Sequence, residues 1–192
     1  MLDRSHGSRA PSEAAPAIID EVPRIPPAED DARALYTALH RGLSTLGPDE
    51  RVIFGVLAER SPEHLAEVAQ VYLKGFGEVL DKRLKRDLSP SDLRRAQALF
   101  AGDRVQRMVE RLRQATSGLL GRNTRALLSA LESVPPKLLD DVRQRFASYF
   151  GPLELAVRRS VTGPVRDGVL ALLRGDRLTA EALLGADFAA AY

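Results

Sequence analysis

The chain has 192 residues, a net charge of +2 and no cysteine. This length is enough for one sizeable hydrophobic core, or for two small units that share a core. The absence of cysteine excludes disulfides and thiolate metal sites, and with no recognisable signal peptide it favours a cytosolic protein. No uncharged run approaches the ~20 apolar residues of a spanning helix, which argues against a transmembrane protein.

Charge is distributed unevenly along the chain. Residues 1–31 contain seven acidic residues and three arginines, so this segment has a net charge of −4 and the remainder +6. A basic body suits anionic partners such as lipid head groups or nucleic acid, although a solvated arginine-rich surface has the same composition. Residues 1–28 are rich in Ala, Ser and Pro, which predicts a disordered leader.

Helical periodicity begins at Glu29. A first amphipathic segment is separated from a second by a tight loop at residues 43–50, which reads LSTLGPDE. Ser61 and Ser89 are each followed by proline, and this pair is typical of a helix start with Ser as the N-cap. Together these signals predict five short helices over residues 29–103.

The same order of elements then recurs, which indicates an internal duplication. The matching turn residues are Gly47 and Gly121, Phe76-Gly77 and Phe150-Gly151, and the Gly-Asp-Arg triplets at 102–104 and 175–177. We therefore predict one repeat at 29–103, a second at 104–175 and a further helix over 176–192. No segment alternates with a strand period, so the predicted fold class is all-α, with ten or eleven short helices.

Short motifs lie at fixed places within the first repeat. They read ALYTALHRG at 34–42, LGPDE at 46–50, RSPEH at 60–64, Tyr72 to Phe76-Gly77, and DLSP at 87–90. The second repeat keeps LLG at 119–121, YFG at 149–151 and VTG at 161–163. In order and spacing these motifs resemble the annexin repeat. The resemblance covers about residues 29–175 and implies two five-helix repeats in a right-handed superhelical arrangement.

The resemblance also implies a calcium site. In annexins, carbonyls of the first loop and a carboxylate from a later loop bind calcium, which bridges to a phospholipid phosphate. Here the implied ligands are the carbonyls of Leu43, Thr45 and Gly47 and the carboxylate of Asp87, which lies 40 residues after Gly47. The implied weaker neighbouring site consists of the Pro48 carbonyl and Glu50.

Implied lipid contacts follow from the same comparison. Leu46 would touch the acyl boundary, and a basic cluster would attract anionic lipid. The members of that cluster are Lys82, Arg83, Lys85 and Arg86. The predicted function is calcium-dependent peripheral binding of anionic phospholipid membranes from the cytoplasm.

Departures from the annexin motif keep a second function open. Thr45 and Pro48 stand where the motif has Gly and Thr, and a β-branched Thr resists the positive φ of a tight loop. In the second repeat Arg122 lies in the loop, and Ser160-Val161 stand where the acid belongs, so no calcium site is expected there. The alternative function is a calcium-independent scaffold or protein-interaction module.

Other functional classes have little support. His6, His40 and His64 lie in different segments with no nucleophile or metal-ligand spacing, so no enzyme is predicted. Nucleic acid fits poorly, because no aromatic residues are interleaved with the basic ones. The basic residues at 82–86 and 158–159 suit either a solvated helix face or an anion site. A homo-oligomer or a protein partner is expected to cover the repeat face that lacks a neighbour.

Overall fold

The computed structural model describes residues 27–40, 47–117 and 124–185. Within these residues the regular elements are eleven α-helices and one short 3₁₀ helix, which confirms the predicted all-α class. The first repeat contains α1 (Ala28–His40), α2 (Glu50–Glu59), α3 (Pro62–Phe76), α4 (Leu80–Asp87) and α5 (Pro90–Phe100). The second contains α6 (Arg104–Thr116), α7 (Thr124–Glu132), the 3₁₀ helix (Pro136–Leu138), α8 (Leu139–Phe150), α9 (Leu153–Ser160) and α10 (Gly163–Leu173), and α11 (Arg177–Leu184) follows.

Residues 1–26 of the predicted leader, which is expected to span 1–28, lie outside the described residues. Its last residue, Ala28, begins α1 and is buried. None of the helices in the described ranges is both long and apolar enough to cross a bilayer.

The helix starts follow the predicted capping chemistry. The Ser61 hydroxyl accepts a hydrogen bond from the His64 amide at 3.2 Å, and Ser89 accepts one from Asp92 at the same distance. Each bond satisfies one of the amides that a helix leaves unpaired in its first turn. Val79 is the N-cap of α4 and is 41% exposed.

The duplication is visible in the backbone. Gly77 ends α3 with φ +69°, and its counterpart Gly151 ends α8 with φ +80°. Glycine adopts this left-handed region without the steric penalty of a Cβ. Asp103 caps α6 and Asp176 caps α11 through the same side-chain bond to an amide three residues later. The helix after the second repeat therefore begins as a new repeat would.

Each repeat has a hydrophobic core of its own. Fully buried residues of the first core are Leu35, Leu39, Ile53, Leu57, Leu65, Val68, Tyr72 and Leu99. Those of the second are Val109, Leu112, Leu127, Leu131, Val142, Phe146, Leu153 and Val157. Apolar residues recur at the same helical spacing in both cores. Burial of these apolar helix faces therefore stabilises both five-helix units.

A buried ion pair joins the repeats. Arg95 on α5 donates from Nε and Nη2 to the Glu110 carboxylate on α6, at 2.8 and 2.7 Å, and Glu110 is completely buried. Gln106 donates to the same carboxylate at 2.7 Å. The Arg95 guanidinium also lies 3.8 Å from the centroid of the Phe54 ring and 4.6 Å from that of Phe150, one from each repeat.

We expect Arg95→Met to lower the free energy of unfolding by about 3–5 kcal/mol, because it leaves a buried carboxylate without its cation. Chemical denaturation measures this loss. The matched control is Arg111→Met, which removes a partly exposed pair with Glu59 at 3.1 Å, also between the repeats. The control should lose less than about 1 kcal/mol. Equal losses of unfolding free energy in the two variants would show that the buried Arg95–Glu110 pair stabilises the interface no more than the partly exposed Arg111–Glu59 pair does.

Candidate functional site

Three chain segments meet at one end of the first repeat. The α1 helix ends there at His40, α2 begins there at Glu50, and the last turn of α4 lies beside them. The Asp49 amide donates to the Ala38 carbonyl at 3.0 Å, which closes the two ends of the first loop on each other. Gly47 has φ +73°, the left-handed conformation that a tight loop requires. The predicted ligands Leu43 and Thr45 and the predicted lipid contact Leu46 lie outside the described residues.

Arg83 lies at the centre of this end. It is only 7% exposed. Its Nε donates to the Asp87 carboxylate at 2.5 Å, and its Nη2 donates to the Leu39 carbonyl at 3.3 Å. Its Nη1 lies 3.2 Å from His40 Nε2 and 3.4 Å from Glu78 Oε2. The guanidinium therefore ties the last turn of α4 to the end of α1.

His40 is oriented for this contact by aromatic stacking. Its ring stacks on Tyr36 at 3.7 Å, and Tyr36 stacks on Phe76 at 4.0 Å. His40 Nδ1 lies 2.8 Å from the Tyr36 carbonyl, which accepts only, so the neutral ring presents Nε2 as an acceptor to Arg83. Behind this stack, burial raises the pKa of Tyr72 to about 12, although nearby Arg83 acts in the opposite direction.

Asp87, the predicted calcium ligand, already has two cationic partners. Besides Arg83 at Oδ2, Arg86 Nε donates to Oδ1 at 3.2 Å, and the Asp87 side chain is 18% exposed. Weak calcium sites, with dissociation constants near 10⁻³ M, have only about 4 kcal/mol of binding free energy. Breaking a fully buried ion pair costs about 3–5 kcal/mol, and separating Asp87 from the buried Arg83 guanidinium costs part of that, because the carboxylate is 18% exposed. A divalent cation therefore fits these residues poorly, although the predicted site itself stays a prediction.

The basic cluster on α4 is not the uniform exposed surface that the sequence indicates. Lys82, Lys85 and Arg86 are exposed, but Arg83 is buried, so its prediction as a lipid contact does not agree with its position. Lys85 pairs with Asp81 at 2.6 Å. Arg86 also pairs with Glu78, at 2.9 Å. Acids of the same segment therefore neutralise most of this charge.

The predicted weaker site falls in a different environment. Pro48 precedes the start of α2, and Glu50 lines a cleft between the repeats together with Arg95, Arg113 and Phe150. Partial burial raises the pKa of the Glu50 carboxyl above its ordinary value, and the negative charge of Asp92 adds to the effect. Glu50 thus lies among side chains of the repeat interface. Over the ranges described, no group of three or more acidic or histidine side chains is placed to hold a metal ion.

The corresponding end of the second repeat, at the last turn of α9, has different side chains. Ser160 stands in place of the acid, is buried, and donates to the Val157 carbonyl at 3.2 Å. Arg158 and Arg159 precede it in the last turn of α9 and are exposed. They correspond to Lys85 and Arg86, which lie 73 residues earlier in the last turn of α4. An exposed dibasic pair therefore occupies the same position in both repeats.

Comparisons with known proteins agree with this architecture. The annexin family model matches residues 32–96. Annexin A13 of Mus musculus is 28% identical over 151 residues, which cover 78% of this chain and 46% of that protein. The chain is similar in sequence to annexins.

Further relatives extend the match over both repeats. Annexin D2 of Arabidopsis thaliana is 29% identical over 150 residues, covering 78% of this chain and 45% of the relative. Among solved structures, annexin III is similar at 25% identity and a TM-score of 0.38, with 82% of this chain and 47% of that chain covered. The chain spans about half the length of the curated relatives it matches.

Sequence reasoning missed two ion pairs, the part-buried pair of Arg83 with Asp87 and the buried pair of Arg95 with Glu110. The four-residue spacing of Arg83 and Asp87 is a signal for a pair on one helix face. This spacing does not indicate that Arg83 is buried. The burial of Arg83 depends on its contacts with His40 and Leu39 at the end of α1, more than forty residues earlier.

We expect Asp87→Asn to lower the free energy of unfolding by about 1–3 kcal/mol, because it removes the charged acceptor of a buried guanidinium. Relief of a negative charge at a helix C-terminus offsets part of this loss, by about 0.3–1 kcal/mol. The control is Asp81→Asn on the same helix, where Asp81 and its partner Lys85 are both about half exposed. The control should change stability by less than about 1 kcal/mol. A larger loss from Asp81→Asn than from Asp87→Asn would contradict this account.

Proposed function

We propose that this chain is an annexin-like protein that binds anionic phospholipid surfaces peripherally, through the loop-bearing ends of its two repeats. Members of the family typically bind phospholipid in a calcium-dependent way and are typically cytoplasmic and peripheral to membranes. The observation that carries the proposal is the exposed dibasic pair at the last turn of the fourth helix of each repeat. By analogy with the family, the cytoplasmic face of a membrane is the expected location.

Electrostatic attraction supplies a limited affinity. A Lys or Arg near an anionic membrane contributes about 1 kcal/mol, so the two dibasic pairs contribute about 4 kcal/mol at most. Ion pairs with Asp81, Glu78 and Asp87 reduce the share of Lys85 and Arg86. No ion pair with Arg158 or Arg159 occurs in the part of the chain that the structure describes, so the second repeat contributes more. We therefore expect weak, salt-sensitive binding.

The calcium-dependent form of this function would add the ion as a bridge between Asp87, the loop carbonyls and a lipid phosphate. The pairing of Asp87 with Arg83 and Arg86 does not favour that bridge. We therefore propose that the basic residues make the contact with the membrane. Leu46 remains the predicted apolar contact.

The test is co-sedimentation with vesicles that contain phosphatidylserine, beside neutral phosphatidylcholine vesicles, with calcium and with chelator. We expect pelleting with the anionic vesicles in chelator, weakened by added salt. Charge reversal of Arg158 and Arg159 to Glu should weaken pelleting several-fold, because it replaces attraction by repulsion.

The matched control reverses two exposed arginines elsewhere, Arg94 on α5 and Arg104 at the start of α6. It changes net charge by the same amount and should leave most pelleting intact. Equal weakening by both double variants would indicate a general charge effect without a defined surface. No pelleting with anionic vesicles under any condition would contradict the proposal and favour the alternative, a scaffold or protein-interaction module.

A further inference from the structure

The position between the end of α1 and the last turn of α4 is filled by a side chain. A calcium ion in this position would draw together a carbonyl from the first loop and the Asp87 carboxylate. In the structure the Arg83 guanidinium binds the same Asp87 carboxylate at 2.5 Å, and it joins it to the Leu39 carbonyl in the last turn of α1, just before that loop, at 3.3 Å. The chain thus supplies its own cation at this end.

We infer that Arg83 replaces the bridging cation of the first repeat, so that calcium and the Arg83 guanidinium compete for Asp87. The end of α1 and the last turn of α4 are then held together without calcium. This inference concerns contacts within the chain and does not rest on membrane binding.

The chemistry of arginine suits this role. Its planar guanidinium keeps its charge when buried and offers five donors in a fixed arrangement. At Arg83 these donors meet acceptors from two helix ends and from the segment between α3 and α4, namely Leu39, His40, Asp87 and Glu78. A hard divalent cation also needs several oxygen ligands, and it is repelled by a guanidinium beside the same carboxylate. One carboxylate therefore cannot serve both cations well.

The second repeat provides a comparison within the same chain. At the positions 73 residues after Arg83 and Asp87, it has Ala156 and Ser160. Both members of the pair are absent together, while the dibasic residues between them are kept as Arg158 and Arg159. The buried cation and its carboxylate therefore form one unit, separate from the exposed basic pair.

Thermal unfolding of the whole 192-residue chain tests the inference, with calcium compared with magnesium at equal ionic strength. The wild type should have the same melting temperature in both, because Asp87 is occupied. Arg83→Gln leaves the carboxylate only its contact with the exposed Arg86, so millimolar calcium should raise the melting temperature of this variant by a few degrees. The double variant Arg83→Gln with Asp87→Asn should lose that rise. Arg86→Gln is the matched control, since Arg86 contacts the same carboxylate from an exposed position, and it should stay insensitive to calcium.

Two results would overturn the inference. One is a calcium-specific rise in the wild type that Asp87→Asn removes, since calcium would then bind despite Arg83. The other is a folded Arg83→Gln variant that gains no response to calcium. The wild-type measurement decides by itself if Arg83→Gln does not fold. Failure of vesicle binding leaves these results unaffected, so the two proposals fail independently.

Discussion

The guanidinium group of Arg83 joins the segments on which any function of the first loop depends. It is buried, and its partners come from the end of α1, the segment between α3 and α4, and the last turn of α4. One of these partners, His40, is held in place because its ring stacks on Tyr36, which in turn stacks on Phe76. Because a buried charge without its counter-ion is costly, these contacts constrain where the first loop leaves α1.

The two repeats share a fold more fully than they share chemistry. Their left-handed glycines, their aspartate caps and the apolar stripes of their helices correspond, as expected for elements that build the same helical core. The polar residues at the loop-bearing ends diverge, since Arg83 and Asp87 have Ala156 and Ser160 as counterparts. The ion pair of Arg95 with Glu110 belongs to neither repeat alone and holds the two cores against each other.

The sequence was sufficient for the elements whose causes are local. Serine followed by proline marks a helix start wherever it occurs, and Gly77 marks a helix end, so the predicted boundaries agree with the structure. The duplication also follows from short-range turn residues. The candidate site could not be predicted in this way. Arg83, Lys85 and Arg86 are all basic residues, and the sequence does not distinguish the buried one from the exposed ones. Only contact with Leu39 and His40, distant along the chain, makes one of them a buried residue and leaves the others exposed.

The resemblance to annexins implies a calcium ion at Asp87, whereas the described contacts of Asp87 have an arginine in that place. A crystal structure of the wild type grown with calcium, with anomalous diffraction to locate the ion, distinguishes these directly. The account predicts that Arg83 still bridges Leu39 and Asp87 and that no anomalous peak lies within bonding distance of the Asp87 carboxylate. A calcium peak bonded to Asp87, with the Arg83 guanidinium displaced, would contradict it.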